Sequence, residues 1–467
     1  MENPELKPFP APMPLKKILG PSFILLALGM GSGEVILWPY LTANYGLGLA
    51  WAALLGITFQ YFINMEIERY ALVKGESVFV GLNQLFNWSA YWFILSTFVG
   101  FGLPGIIAAS AEVFAFIFGF NQFKWLAIFL LLLIGLILSI GKNVYDLVEK
   151  FTKTIIFLGI PFIIILILLL TDWSDWIALL NGLIGFGPNY HFLPAGISLA
   201  IFFAAFAYSG AGGNLNLTQS IYIKEKGYGM GKYSQKITGL FHNLGQKKIN
   251  LSGEKFALTD ENTKNFYAWW KKISFEHLLI FWFLGLIAIL LLMLLAYNTA
   301  FGLANNASGI NFVINEGMMI GQRFFPVLGS LFLIVVGVML FQTQLGILDS
   351  ASRIIAENIA LKKIQHHKTQ INLSKIYYLV LWATIIFGVI LFFFNVYEPR
   401  FLIVLGAVLN AFAMFVHIGL VYWLNQKTLS KDFRPNLMRK IIILIIFCFF
   451  GFFSSLIIWD SLIKKLI

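Results

Sequence analysis

Gly29-Met30-Gly31-Ser32-Gly33-Glu34 interrupts an apolar run from Ile18 to Leu41, a stretch long enough to cross a bilayer. Three glycines at alternate positions weaken a helix, each by about 1 kcal/mol relative to alanine. An ionised glutamate at bilayer depth costs roughly 2.5–3.5 kcal/mol even on a lenient insertion scale. A plain anchor carries neither. Irregular backbone at that depth is tolerated where protein buries it or where it lines a wet cavity. The stretch therefore reads as half of a substrate site inside a membrane bundle.

The surrounding composition agrees. Of 467 residues, 59% are hydrophobic and only 12% are charged, with 48 phenylalanines. Mean hydropathy is +0.81. A soluble domain of this size needs more polar surface, so an all-α polytopic membrane protein is expected. The formal charge of +11 is explained by lysines and arginines gathered in particular loops, which excludes nucleic acid as the expected partner. Cys448 is the single cysteine, so neither an internal disulfide nor a cysteine metal site is expected. The segment Met1 to Lys17 lacks a cleavage pattern and reads as a leader into the first span rather than a signal peptide.

Eleven spans are expected within one transporter domain: Ile18–Leu41, Leu47–Tyr70, Trp88–Phe118, Trp125–Ile140, Tyr145–Leu170, Leu193–Ile223, Phe275–Tyr297, Phe324–Leu348, Ile376–Phe394, Phe401–Leu424 and Ile441–Trp459. Trp173 and Trp176 mark an interfacial helix after the fifth. The stretch Lys224–Lys272 holds ten lysines against four acidic residues and reads as a basic cytoplasmic loop. The other basic connections follow spans eight and ten. This asymmetry predicts a cytoplasmic N-terminus and an external C-terminus, in a plasma (inner) membrane, although Lys464 and Lys465 run mildly against it.

Span six carries a second interruption, Ser209-Gly210-Ala211-Gly212-Gly213-Asn214. Two glycine-broken spans at corresponding places predict an inverted repeat of two five-helix halves, 18–170 and 193–424, with span eleven (441–459) added. The bland alternative is that both clusters serve only close helix packing. Glu34 beside one cluster, and Ser209, Asn214 and Asn216 beside the other, favour a site. Gly31, Ser32, Gly33, Glu34, Ser209, Gly210, Ala211, Asn214 and Asn216 are the expected substrate-binding or ion-binding residues. Glu34 and Asn214 are the expected metal ligands if a metal is carried. The set offers oxygens and amides and only one nearby thioether, Met30, which favours a hard cation or a zwitterion over soft metals.

Glu112, inside span three, is a proton-relay candidate or a helix-packing hydrogen bond. His417 in span ten titrates near neutral pH when unperturbed, although a lone histidine on an apolar helix is more often just hydrogen-bonded. Asp349 and Arg353 read as a helical ion pair, and Glu66, Glu68 and Arg69 as an interfacial charge cluster. Gly231-Lys232 is not a phosphate loop, since Tyr233 follows where Ser or Thr is required. No protease constellation is found, so neither an enzyme nor a cofactor is expected.

The sequence resembles the Nramp family of divalent metal transporters over about residues 18–440. The resemblance rests on Gln342-Thr343-Gln344 through Ala351, Ile354-Ile355 and Glu357-Asn358, on Ala111-Glu112-Val113, and on Asn214-Leu215-Asn216-Leu217. It implies a leucine-transporter-type inverted repeat and ion-coupled alternating access, with Glu112 carried over. The family's metal ligands are not carried over. Gly31 stands at the aspartate position, Glu34 at the asparagine position, Ala211 at the methionine, Gly212 and Gly213 at the proline and histidine, and Ala109 at the third-helix aspartate. Gly31-Ser32-Gly33 and Phe206-Ala207-Tyr208-Ser209-Gly210 also resemble motifs of amino-acid permeases of the same fold. Proton-linked transport of a metal cation is the leading expectation, with oxygen-preferring magnesium or manganese first. An amino acid or small organic amine is the alternative, and a non-transporting sensor or scaffold the second. Protons and membrane lipids are the other expected partners.

Overall fold

A computed structural model describes residues 6–140, 144–234, 251–367 and 372–459. Among these residues the chain is all-α, with one isolated β-bridge between Phe186 and His191. Ten helices are long and apolar enough to cross a membrane, and the chain is an integral membrane protein. Span six of the expected eleven is absent from that set because it is not continuous. It consists of Leu199–Ala207 and Thr218–Lys226, nine residues each, joined by a break and the short 3-10 turn Gly213–Leu217. Each half is about 14 Å long and cannot cross alone.

Span one (Pro21–Tyr45) lies at the centre. Its most hydrophobic stretch is 100% buried, against 28% for span eleven (Leu437–Ile458) at the periphery. A helix that is apolar all round suits the first position, since protein and not lipid surrounds it. Span two is Leu47–Lys74, and span three, Ser89–Phe118, is divided at Gly102–Pro104. Spans four (Phe123–Ile140) and five (Val144–Leu170) follow, and then the expected interfacial helix at Trp173–Gly182. Spans eight to ten are Pro326–His367, Leu373–Phe393 and Pro399–Thr428.

Three features differ from expectation. Span one is not unwound at its glycines. It continues through Met30–Leu37 as a π-helical stretch, in which the Trp38 N–H reaches back five residues to the Gly33 carbonyl. The last quarter of the basic loop is helical, so that span seven runs unbroken over Asp260–Thr299. Thr259 caps its start, accepting from the Asn262 N–H at 3.2 Å, and Asp260 and Glu261 suit the positive end of a helix. Phe266, Trp269 and Ile273 bury one face, with Trp269 Nε1 donating to the Pro10 carbonyl at 2.9 Å. Lysine content hid this amphipathic pattern. Finally, a helix at Asn311–Arg323 occupies what the sequence reads as a connection before span eight. Lys464 and Lys465 lie outside the described residues.

Candidate functional site

The two glycine motifs meet. A Cβ on Gly29 would stand 2.6 Å from the backbone of Gly210. One on Gly33 would collide with the Tyr208 carbonyl oxygen, and one on Gly31 would lie 2.6 Å from the Thr343 side chain of span eight. None of these three glycines has positive φ. They are required by close approach, which is how small residues serve helix contacts in membranes.

Span six uses its glycines differently. Gly210, Gly212 and Gly213 have φ of 144°, 69° and 52°, conformations that side chains with a Cβ resist. The broken backbone is held by Gln60 of span two. Its Nε2 donates to the Ala207 carbonyl at 2.7 Å, and its Oε1 accepts from the Gly212 N–H at 3.2 Å. One side-chain amide thus satisfies a carbonyl at the end of the first half-helix and an N–H before the second. Buried backbone groups left unpaired each cost about 1–3 kcal/mol, so the break depends on this residue. Trp38 Nε1 donates to Ser209 Oγ at 3.1 Å, and Ser209 Oγ donates to the Ala205 carbonyl at 3.1 Å. Asn410 Nδ2 of span ten donates to Tyr208 Oη at 2.8 Å and to the Gly100 carbonyl at 2.9 Å.

Glu34 is completely buried, and neither carboxylate oxygen has a hydrogen-bond partner. The side chain turns toward span seven, where a Cβ on Gly285 would stand 3.9 Å from its Oε1, with Ile57 and Leu26 beside that glycine. Such an environment gives an ionised carboxylate nothing to replace water, and the penalty runs to several kcal/mol.

Asn214 faces another way. Its Nδ2 donates to Ser96 Oγ at 2.7 Å and Thr97 Oγ1 at 3.0 Å, on span three. Both amide hydrogens are thereby used, while Oδ1 stays open. Asn216 is buried with both amide atoms unpartnered. No hydrogen bond joins Glu34 to Asn214. Ser32 and Ala211 are buried beside these groups in sequence. Among the described residues, no group of three or more His, Cys, Asp and Glu side chains is arranged to hold a metal ion. An oxygen site here rests on Glu34, open amide oxygens and backbone carbonyls.

Glu112 stands near the connection after span seven. Its Oε1 and that of Glu398 each lie 3.8 Å from the position of a Cβ on Gly309, so two carboxylates border one glycine. His417 is fully buried, and neither ring nitrogen has a partner. The expected helical pair Asp349–Arg353 is present at 2.9 Å and extends to Glu225 at 2.5 Å. The expected Glu66–Glu68–Arg69 cluster divides. Glu66 pairs with Arg69 at 2.8 Å and Arg439 at 3.3 Å, whereas Glu68 turns inward.

Gln60 and Asn410 lie outside the site residues expected from the sequence. The signal for each is an amide deep within a long apolar span, where a polar side chain is retained only if it meets polar groups.

No family model and no curated protein matches the sequence. The fold is similar to solved structures of a manganese transporter from Eremococcus coleocola. One mutant of that protein aligns with a TM-score of 0.70 at 13% identity, covering 96% of this chain and 87% of that one. A second mutant aligns at 0.71 and 13%, covering 98% and 91%. The same transporter in complex with an aromatic bis-isothiourea substituted compound aligns at 0.66 and 12%, covering 96% and 87%. At these identities the likeness is one of fold: nearly the whole chain is laid out as that transporter is.

Proposed function

We propose that the chain is a secondary-active, proton-linked transporter of a small cation, bound beside the meeting of span one and the break in span six. The observation that carries this reading is Glu34: a fully buried carboxylate with two unpaired oxygens, adjacent to the contact between Gly33 and Tyr208. A cation at that carboxylate would offset the penalty of burying it. Asn214 Oδ1 and Asn216 Oδ1, on the 3-10 turn that closes the break, are the further open oxygens. The π-helical stretch of span one adds support, since such widenings recur at functional sites.

For the cargo, a metal cation is the first reading, supported by the fold likeness to a manganese transporter. With oxygen donors and no thiolate or imidazole in the set, it favours a hard ion such as magnesium or manganese. The second reading is an amino acid or organic amine. One carboxylate balances one positive charge, which suits an ammonium group better than a divalent ion. Glu112 with Glu398, and His417, are the candidates for proton movement. The positive-inside pattern supports a cytoplasmic N-terminus, and the pairing of spans one and six supports two inverted halves.

Thermal unfolding of the detergent-purified chain with magnesium, manganese, and a panel of amines and amino acids tests the reading. A cargo at 100 times its dissociation constant stabilises by about 2.7 kcal/mol if it binds only the folded state. Manganese or magnesium alone doing so supports the metal reading, and an amine alone the second. Stabilisation by none of them removes the cation site.

A further inference from the structure

Spans one, two, six and seven also enclose a second group of ionisable side chains, distinct from Glu34. Glu68 of span two and Glu276 and His277 of span seven are each at most 3% exposed. They are linked through span one. Ser22 Oγ donates to Glu276 Oε2 at 2.5 Å and lies 2.8 Å from His277 Nδ1, and the same Nδ1 is 3.5 Å from Glu68 Oε1. Gln219, in the second half of span six, donates to Glu68. The imidazole is stacked between Tyr61, at 5.6 Å, and Phe281, at 4.7 Å between ring centres. Glu68 Oε2, Glu276 Oε1 and His277 Nε2 have no hydrogen-bond partner.

Among the described residues, neither Glu68 nor Glu276 is ion-paired with a lysine or arginine. The other titratable groups facing it are Tyr61, Tyr228, Glu149, Lys153 and Arg439. Arg439 is held by Glu66 at 3.3 Å and Lys153 by Glu149 at 2.6 Å. Glu66 also holds Arg69 and Glu149 also holds Lys226, so these cations are engaged away from the group and His277 is the basic side chain in contact with its carboxylates. Burying both carboxylates as anions without a direct partner costs several kcal/mol apiece. The hydrogen bonds supply the remedy. A serine hydroxyl has one hydrogen. When Glu276 is ionised, Ser22 donates to it and His277 Nδ1–H donates to Ser22. When Glu276 holds a proton, it donates to Ser22, whose hydrogen turns to Nδ1, and the imidazole proton sits on Nε2. One proton is gained, only O–H and N–H bonds change, and the chain reverses direction.

We propose that Glu68, His277, Ser22 and Glu276 form a buried proton-binding relay that holds one exchangeable proton between spans two and seven and ties the start of span one to both. That this proton drives transport rests on the function proposed above; that it binds does not.

The test is infrared spectroscopy of protonated carboxyl groups in the full chain in lipid nanodiscs, titrated from about pH 5 to about pH 9, where perturbed carboxyl and imidazole groups change charge. The expected result is a carboxyl band that titrates in the wild type, loses intensity in Glu276→Gln, and moves its midpoint in Glu68→Gln, which removes the neighbouring carboxylate charge. Ser22→Ala, which removes no titratable group, shifts the midpoint by about one pH unit, a tenfold change in proton affinity, and serves if a glutamine variant does not fold. Replacing sodium by choline leaves the midpoint in place. A band that Glu276→Gln keeps in full, a midpoint unmoved by Ser22→Ala, or one that follows sodium concentration overturns the relay. A titrating band that these variants alter, in a chain that takes up no cation, supports the relay and counts against the transport reading alone.

Discussion

The two glycine-rich stretches look alike in sequence and behave oppositely in the fold. Gly29, Gly31 and Gly33 keep helical φ and the backbone stays hydrogen-bonded through a π-helical stretch. Gly210, Gly212 and Gly213 take positive φ, and the helix stops. The first set is glycine because neighbouring elements lie where a Cβ would be, the second because the chain turns where a Cβ is strained. Each explains the other, since the displaced backbone of Tyr208 and Gly210 is what crowds Gly33 and Gly29. A glycine cluster in a membrane span is therefore evidence of a special place, and what kind depends on its partner.

Substitutions separate the two causes. The largest effect is expected at neither glycine set but at Gln60, the group that holds the break open. Gln60→Leu strands the Ala207 carbonyl and the Gly212 N–H, costing roughly 2–6 kcal/mol at about 1–3 for each group. Unfolding in detergent measures it, and a loss below about 1 kcal/mol would mean the break is supported elsewhere. Gly33→Ala drives a Cβ into a backbone carbonyl, and overpacking of this kind costs about 1–3 kcal/mol. Because backbone cannot swing aside, the upper end is expected. Gly212→Ala tests conformation rather than space alone, at about 1–2 kcal/mol for the left-handed region, with the Tyr208 ring adding to it. Trp38→Phe removes only the donor to Ser209 and should cost about 0.5–1.5 kcal/mol. If it costs more than Gly33→Ala, the two spans are joined by that hydrogen bond more than by close approach.

A smaller, pH-dependent term comes from Glu76, in the connection after span two. Burial raises its carboxyl above the ordinary carboxylate range, opposed in part by hydrogen bonds from the Tyr70 hydroxyl and the Gly253 N–H. A raised folded value means that the native state holds the proton longer than the unfolded chain. Its contribution is fullest at low pH and falls as pH rises from the ordinary carboxylate value through the raised one. Glu76→Gln should flatten that part of the stability profile, and a profile that keeps its slope assigns it to other groups.

Much of the fold was legible. Spans two, four, five, nine and ten follow from apolar length alone, and the break in span six from Ser209 to Asn214 is where the glycines place it. The expectation that span one unwinds failed for a reason beyond the sequence. Gly29, Gly31 and Gly33 carry the same local propensity whether they bend the chain or admit a neighbour, and only tertiary packing decides. The helix before span seven was legible from Thr259, Asp260 and Glu261 but was masked by lysines. At the site, the depth of Glu34 was readable, while its direction was not: pairing it with Asn214 required knowing that Asn214 turns to Ser96 and Thr97. Gln60 lies far along the chain from the backbone it satisfies, and nothing local announces that.

The most direct test of the central claim is cation uptake into proteoliposomes by the wild type and by Glu34→Gln, with manganese and amines offered separately under an inward proton gradient. One class is expected to be taken up by the wild type, and Glu34→Gln, folded to the same thermal stability or better, to lose at least about tenfold of that uptake, the equivalent of about 1.4 kcal/mol. Uptake by Glu34→Gln equal to the wild type would contradict the central claim.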